Sequence, residues 1–360
     1  MELSREKPCN LIIDECQELD WVAPSFWADL QCAWDLGKEG SLVWLAMIGS
    51  KTAMMRSIFD DASEPLFGRQ DLSLTLKPFS PGLLREIFLD FAPKGTPDDL
   101  LTLYAVTGGV ARYVEFLADS GPLTREAIVN LVFSARGGFL QTDGETLLAN
   151  ESRMESSLNE SVLRAVARGA TKWAELADIQ KGQNISGCMD RRLEKRYGML
   201  RKVSPMFSES PKGVRYEIRD PYFRFWFRFV EPSNCQGLAE SGNWEALRRL
   251  CLAELDYFSG RTLEGWFREV YAASPRWTRT GRWWDRKGQN EIDLIALDEL
   301  DGRAEIIEVK RNPSKIDLGL LRSKAIAFEQ ACGRFAKGCG EPRLRGLSLE
   351  DMLKDPAEEP

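Results

Sequence analysis

The chain has 360 residues, of which 43% are hydrophobic, 29% charged and 10% aromatic, with a formal net charge of −7. This is the composition of a folded protein of two or three domains; no apolar run nears the roughly 20 residues that span a bilayer, and Met1-Glu2-Leu3-Ser4-Arg5 leads into no secretory apolar segment. Histidine is absent, which excludes Ser-His-Asp and Cys-His triads, zincin motifs and His-containing zinc fingers. Eight cysteines form no C-x-x-C pair. They read as reduced, mostly packed thiols, so the expected compartment is the cytoplasm. Charge is unevenly spread: residues 1–150 carry −10, residues 151–230 carry +6 and residues 231–360 carry −3. Only the middle segment has the balance of a surface that meets phosphates, or of a helical module with a basic solvated face.

In chain order, Asn10-Leu11-Ile12-Ile13 reads as a short buried parallel strand. It ends at Asp14-Glu15. Two acids delivered by a strand end make a Walker B arrangement, Asp14 holding Mg²⁺ and Glu15 acting on the attacking water; the alternative is an ordinary strand end. An amphipathic stretch over 25–36 follows, then a strand over 42–48 ending in Gly49-Ser50-Lys51. Next come Pro65-Leu66-Phe67-Gly68-Arg69, a strand over 72–76, helices, and Thr107-Gly108-Gly109-Val110-Ala111-Arg112-Tyr113. This order resembles the archaeal-type AAA+-like ATPases that carry a C-terminal module of unknown function. The resemblance implies ATP with Mg²⁺ as ligand, Asp14 and Glu15 as Walker B, and Ser50 at sensor 1. It implies Arg69 as an arginine facing a neighbouring nucleotide and Arg112 in the sensor-2 role; a surface salt bridge is the alternative for each arginine. The G-x-x-x-x-G-K-[ST] loop of that family is missing. Position 46, five residues before Lys51, is Ala, so Gly49-Ser50-Lys51-Thr52 is no P-loop and nothing visible cradles the β/γ-phosphates. Truncation is the expectation, with inner strand edges left unpaired and no ATP hydrolysis by the family mechanism.

In the middle, helices are expected over 155–168 and 171–177, with Thr171 as N-cap of the latter. A basic helix follows over 186–202, with Arg191, Arg192, Lys195 and Arg196, then a hairpin from Val203 to Ile218. Short helix, turn, basic helix and β-wing is the winged helix-turn-helix order, which docks on DNA or on a partner protein. The run from Asp220 to Phe229 is dense in aromatics, which read as packing rather than as base-stacking residues.

In the C-terminal third, a strand over 291–297 carries Asp293 and a second over 304–310 carries Glu308 and Lys310. Period 2 places Glu308 and Lys310 on one face, and the 15-residue separation of Asp293 from Glu308 suits a hairpin. Two carboxylates and a lysine on one face can bind Mg²⁺ through Asp293 and Glu308 and activate water for phosphodiester attack. Glu264, on an upstream helix, is a candidate third acid. The order Glu, Asp, Glu-x-Lys, helix resembles the PD-(D/E)XK nuclease fold. A structural ion pair, or an idle site on that fold, are the alternatives.

The expected architecture is thus α/β and multidomain: a truncated P-loop (AAA+-like) core over 1–78, a helical lid over 79–150, a winged helix over 151–231, a restriction-endonuclease-like α/β domain over 232–348 and an acidic tail over 349–360. The functional expectation is a truncated ATPase coupled to a Mg²⁺-dependent, DNA-directed nuclease-like domain. Its competitors are a non-catalytic regulatory module that binds DNA or protein, with degenerate ATPase and nuclease sites, and a gene fragment. DNA and a second copy of the chain are the expected partners, with no membrane.

Overall fold

A computed structural model of the chain describes residues 4–50, 52–152, 157–178, 188–189, 193–194, 198–208, 213–333 and 340–354. The chain divides into two units, residues 1–76 with 149–153, and residues 77–148 with 154–360.

The first unit contains β1 (Cys9–Ile13), α1 (Leu19–Val22), α2 (Phe26–Gly37), β2 (Val43–Met47) and α3 (Thr52–Asp60). β1 and β2 pair in parallel, Cys9 opposite Val43 through Ile13 opposite Met47. Its core is small, built on Cys16, Trp27, Ile58 and Leu66. The expectation of a buried β1 is not met: Leu11 and Ile12 are exposed, as is Trp44 on β2. A parallel pair is buried only where helices cover both faces, and this core is too small for that. Nor do residues 72–76 form a strand. Leu72, Leu74 and Leu76 alternate as a strand would but are 74%, 77% and 95% exposed. A strand exists only when a neighbour takes its backbone hydrogen bonds, and none lies alongside.

The second unit begins with helices α4 (Pro81–Phe91), α5 (Pro97–Thr107), α6 (Ala111–Ser120), α7 (Arg125–Val132), α8 (Gly138–Ser152), α9 (Ser157–Ala167) and α10 (Trp173–Ala177). Three of their starts carry side-chain caps, Ser80 before Pro81, Thr96 before Pro97 and Thr124 before Arg125. Buried Asp99 serves two of them. It accepts from the Thr96 backbone N–H at 2.8 Å and hydroxyl at 2.7 Å, and from the Arg125 backbone N–H at 2.6 Å. The Gly108-Gly109 pair has a backbone reason. Gly108 closes α5 at φ 59°, and Gly109, at φ 78°, runs so close to Phe79 that a Cβ would meet its carbonyl oxygen at 2.7 Å. At α10 the cap is Lys172 rather than Thr171, because the Glu175 carboxylate turns back to accept from the backbone N–H groups of both.

β3 (Leu200–Val203) and β4 (Arg215–Ile218) pair antiparallel. Residues 200–202 of the helix expected over 186–202 are strand instead, because β4 offers them a partner. Of the residues before them, Cys188, Met189 and Leu193 are buried; Arg191, Arg192, Lys195 and Arg196 lie outside the described residues. α11 (Pro221–Phe229) starts at an Asp220 cap, and Tyr222, Phe223, Phe225, Trp226, Phe227 and Phe229 are all buried. α12 (Ser233–Glu240) and the 30-residue α13 (Trp244–Ala273) follow.

The last elements are β5 (Arg279–Trp284), β6 (Glu291–Asp298), β7 (Arg303–Val309), α14 (Leu318–Ala331) and β8 (Arg343–Leu347), which give a mixed sheet in the order β5-β6-β7-β8. β5–β6 and β6–β7 are antiparallel, with Leu294 opposite Ile307, and β7–β8 is parallel. One core runs from Leu84 on α4 through α11 and α13 to Ile307, Leu347 and Met352; a smaller one includes Leu321 and Phe328 of α14 with Ile295 and Ile306 of the sheet. Among the described residues no helix is long and apolar enough to cross a membrane.

Candidate functional site

β6 and β7 are adjacent and antiparallel, so the ends of the two strands bring Asp293 beside the segment that carries Glu308 and Lys310. The backbone N–H of Val309 donates to Asp293 Oδ2 at 2.9 Å, which fixes that carboxylate over the end of β7. The Lys310 ammonium then reaches both acids, 3.2 Å from Asp293 Oδ2 and 3.3 Å from Glu308 Oε1. Lys324 of α14 donates to the same Glu308 oxygen at 2.9 Å, and the Asp317 backbone N–H to the other at 3.4 Å. Glu264, on α13, faces the same cavity as Asp293 and Lys310. It is held from within its own helix by Arg268 at 3.5 Å. The four residues expected to act together are therefore brought together.

Their electrostatics differ. Burial pushes the Glu264 carboxyl up, and the nearby Asp293 charge adds to the push. Burial works the same way on Glu308, but the Lys324 hydrogen bond and the Lys310 and Lys324 charges outweigh it and hold that carboxyl down. Burial opposes the charge on Lys310, yet the Asp293 and Glu308 carboxylates lift it above its ordinary value. Among the described residues no group of three or more Asp, Glu, Cys and His side chains is placed to hold a metal ion. A magnesium ion needs less. One or two carboxylates suffice when water and substrate phosphate fill its remaining positions. Asp293 with Glu264 or Glu308 fits that demand in number and in kind, each offering hard carboxylate oxygens.

The surprise is the other wall. Glu264 and Asp293 open into a cavity of about 350 Å³, lined by α5, α9, β3, β4, α11, α13, the sheet and α14, whereas Glu308 is buried behind it. Among its lining residues are nine arginines and lysines against five acids. Glu217 of β4 pairs with Arg201 at 3.1 Å and Arg282 at 2.6 Å, Glu291 with Arg215 at 2.5 Å, and Glu264 with Arg268. Among the described residues Arg224 has no carboxylate at ion-pair distance, although the Glu264 and Glu217 charges act on it. Its guanidinium lies 4.3 Å from the Phe258 ring centre and donates to Thr262 Oγ1 at 3.1 Å and to the Phe258 carbonyl at 2.6 Å. Burial, reinforced by the Arg261 charge, pushes it down to about 10. Sequence gave no reason to group these arginines. The available signal was local: Arg261, Glu264, Gly265 and Arg268 recur at helical spacing.

The nucleotide-site candidates are divided. In the first unit Glu15, in the left-handed region at φ 48°, accepts from Ser50 Oγ at 2.8 Å and also hydrogen-bonds Gln17, so the expected Walker B acid and sensor residue do meet. Asp14 accepts the Glu15 backbone N–H at 2.9 Å. Arg69 is locked on Asp35, with Nη2 at 2.8 Å, and donates to the Pro65 and Phe67 carbonyls. Arg112 belongs to the second unit, where it lies 5.1 Å from the Phe139 ring centre and 3.8 Å from Asp143.

Residues 226–318 match the DUF234 family of archaeal and bacterial proteins of unknown function. That stretch holds Glu264, Asp293, Glu308 and Lys310, and with them Arg261, Arg268 and Arg282. The chain is also 25% identical over 308 residues to the uncharacterized protein MJECL04 of Methanocaldococcus jannaschii, covering 83% of this chain and 67% of that protein.

Proposed function

We propose that the C-terminal site is a Mg²⁺-dependent, nuclease-like centre directed at DNA, carried on a chain whose N-terminal unit is AAA+-like. The observation that carries this reading is the convergence of Glu264, Asp293, Glu308 and Lys310 beside an arginine-rich cavity. In this reading the winged helix and the restriction-endonuclease-like fold are the frames of the second unit. Asp293, with Glu264 or Glu308, would hold the ion, which supplies a Lewis acid and an acidified water when bound. Lys310 stays an ammonium, oriented by two carboxylates, and can meet the charge that develops on a phosphodiester oxygen. The contact of Glu15 with Ser50 supports ATP, with Mg²⁺ at Asp14, as the ligand of the first unit. Coupling to a neighbouring copy through Arg69 would require it to leave Asp35.

The test is cleavage of labelled single- and double-stranded DNA by the full chain, with Mg²⁺ or Mn²⁺ against EDTA. Metal-dependent cutting is expected, with Asp293→Ala and Lys310→Ala slower by about 100-fold or more and their circular dichroism unchanged. A folded protein that cuts nothing would overturn this reading. One observation favours a second: Lys310 and Lys324 already neutralise Asp293 and Glu308. On that view the acids are idle and the chain is a DNA- or protein-binding regulatory module, recognised by salt-steep binding without cleavage.

A further inference from the structure

The acids account for only part of the cavity. Glu217, Glu264, Glu291 and Asp293 each face a cation, and Glu269 faces Tyr104. That still leaves the lining with four more cations than acids. Arg224, Arg261 and Arg219 have no carboxylate partner among the described residues. Arg224 is anchored at two points and cannot swing away to water. Arg261 and Arg268 act on it by charge, opposed in part by Glu264 and Glu217, which have closer partners of their own in Arg268, Arg201 and Arg282. Like charges held together at a cavity wall are costly unless an anion completes the set. The guanidinium fork matches the oxygens of phosphate.

Size narrows the ligand. The cavity volume of about 350 Å³ lies at the low end of small-molecule pockets, which run from about 300 to 1,000 Å³. It is walled by a hairpin, helices and the sheet and is partly open to solvent. A duplex, whose major groove alone is about 12 Å wide, cannot enter such a space; one nucleotide can, end-on. A chain end differs chemically from the chain interior because its phosphomonoester carries a second negative charge at neutral pH, the second ionisation of such a phosphate lying near 6.

We infer that the cavity between α11, α13 and the β3–β4 hairpin is a receptor for a phosphomonoester, namely the terminal phosphate of a single nucleic-acid strand, gripped by Arg224 and Arg261 and so delivered beside Asp293 and Lys310. This deepens the proposed function, and rests on it for the nucleic-acid source of the phosphate.

The experiment measures binding rather than cleavage. Fluorescence anisotropy of the full chain, in EDTA and 150 mM salt, compares single-stranded 12-mers carrying a 5′-phosphate, a 3′-phosphate or hydroxyls at both ends. A nucleoside monophosphate serves as free competitor. At least a tenfold preference for one phosphorylated end is expected, lost in Arg261→Ala and kept in Leu74→Ser. Because Arg224 also anchors α11, its test is Arg224→Lys, which keeps the charge but loses the fork and should reduce the preference while the protein stays folded. Equal affinity for the three oligonucleotides, or a preference that survives both arginine variants, overturns the inference. Competition by the free nucleotide at the oligonucleotide's own affinity supports the receptor and moves its source to the nucleotide pool. Cleavage without end preference leaves the nuclease reading standing alone; end preference without cleavage leaves the receptor standing alone.

Discussion

Glu217 measures how firmly the cavity wall is built. Its carboxylate is met by Arg201 from β3 at 3.1 Å and by Arg282 from β5 at 2.6 Å, with Arg268 of α13 acting by charge. Burial works to raise this carboxyl, but Arg282, Arg268 and Arg201 together bring it from 4.5 down to about 2. A group whose folded value lies below its unfolded value stabilises the fold above the unfolded value. That stabilisation is lost as pH falls through the folded one. The difference corresponds to about 3 kcal/mol at pH 7, falling to about 1.4 kcal/mol at pH 3, where the unfolded chain is protonated and the folded one is not yet. Glu217→Gln keeps the shape and removes the charge. Urea unfolding should therefore show the variant less stable by about 3 kcal/mol at pH 7 and by about half of that at pH 3. A deficit below about 1 kcal/mol at pH 7, or one independent of pH, would refute the idea that three arginines are held in place by this one carboxylate.

Three further outcomes follow from the packing. Asp99→Ala removes the acceptor of three hydrogen bonds that cap α5 and α7, and should cost about 3–4 kcal/mol in urea unfolding, whereas a cost under about 1 kcal/mol would show that water replaces them. Gly109→Ala places a methyl group against the Phe79 carbonyl at positive φ and should cost about 1–3 kcal/mol by the same assay, against little for Gly82→Ala in the first turn of α4, where nothing lies within 4 Å of the added carbon. Leu74→Ser, at a side chain 77% exposed, should change stability by less than about 0.5 kcal/mol while lowering self-association in light scattering.

The C-terminal strands were legible because their pattern is local. The alternation over 291–297 and 304–310 set two strands, and period 2 set which acid shares a face with Lys310. β5 and β8 were not legible. Arg279–Trp284 contains a glycine and two arginines, and Arg343–Leu347 is short and charged; each is a strand because the sheet edge beside it supplies hydrogen bonds. Residues 72–76 fail for the converse reason, having the pattern but lying alongside no strand among the described residues. The acid trio was readable, but the arginines facing it come from β3, β4, α11, α13 and β5, elements up to 81 positions apart. Only tertiary structure makes them one surface. At Arg69 the sequence offered a salt bridge or a free finger, and Asp35 holds it.

One core reaches from Leu84 to Met352, and its span bears on how such a protein can be taken apart. Arg311, the residue after Lys310, turns away from the acids to grip Asp98 on α5 at 2.8 Å and Asp256 on α13 at 3.1 Å. Arg125 on α7 binds the same two aspartates. The strand that presents the site is thus riveted to helices more than 180 positions earlier in the chain. A gene fusion or recombination event that carried only residues 226–318 would transfer the acids but strand their supports. A shortened version without the early helices would lose the partners of Arg311 that hold the end of β7 in place.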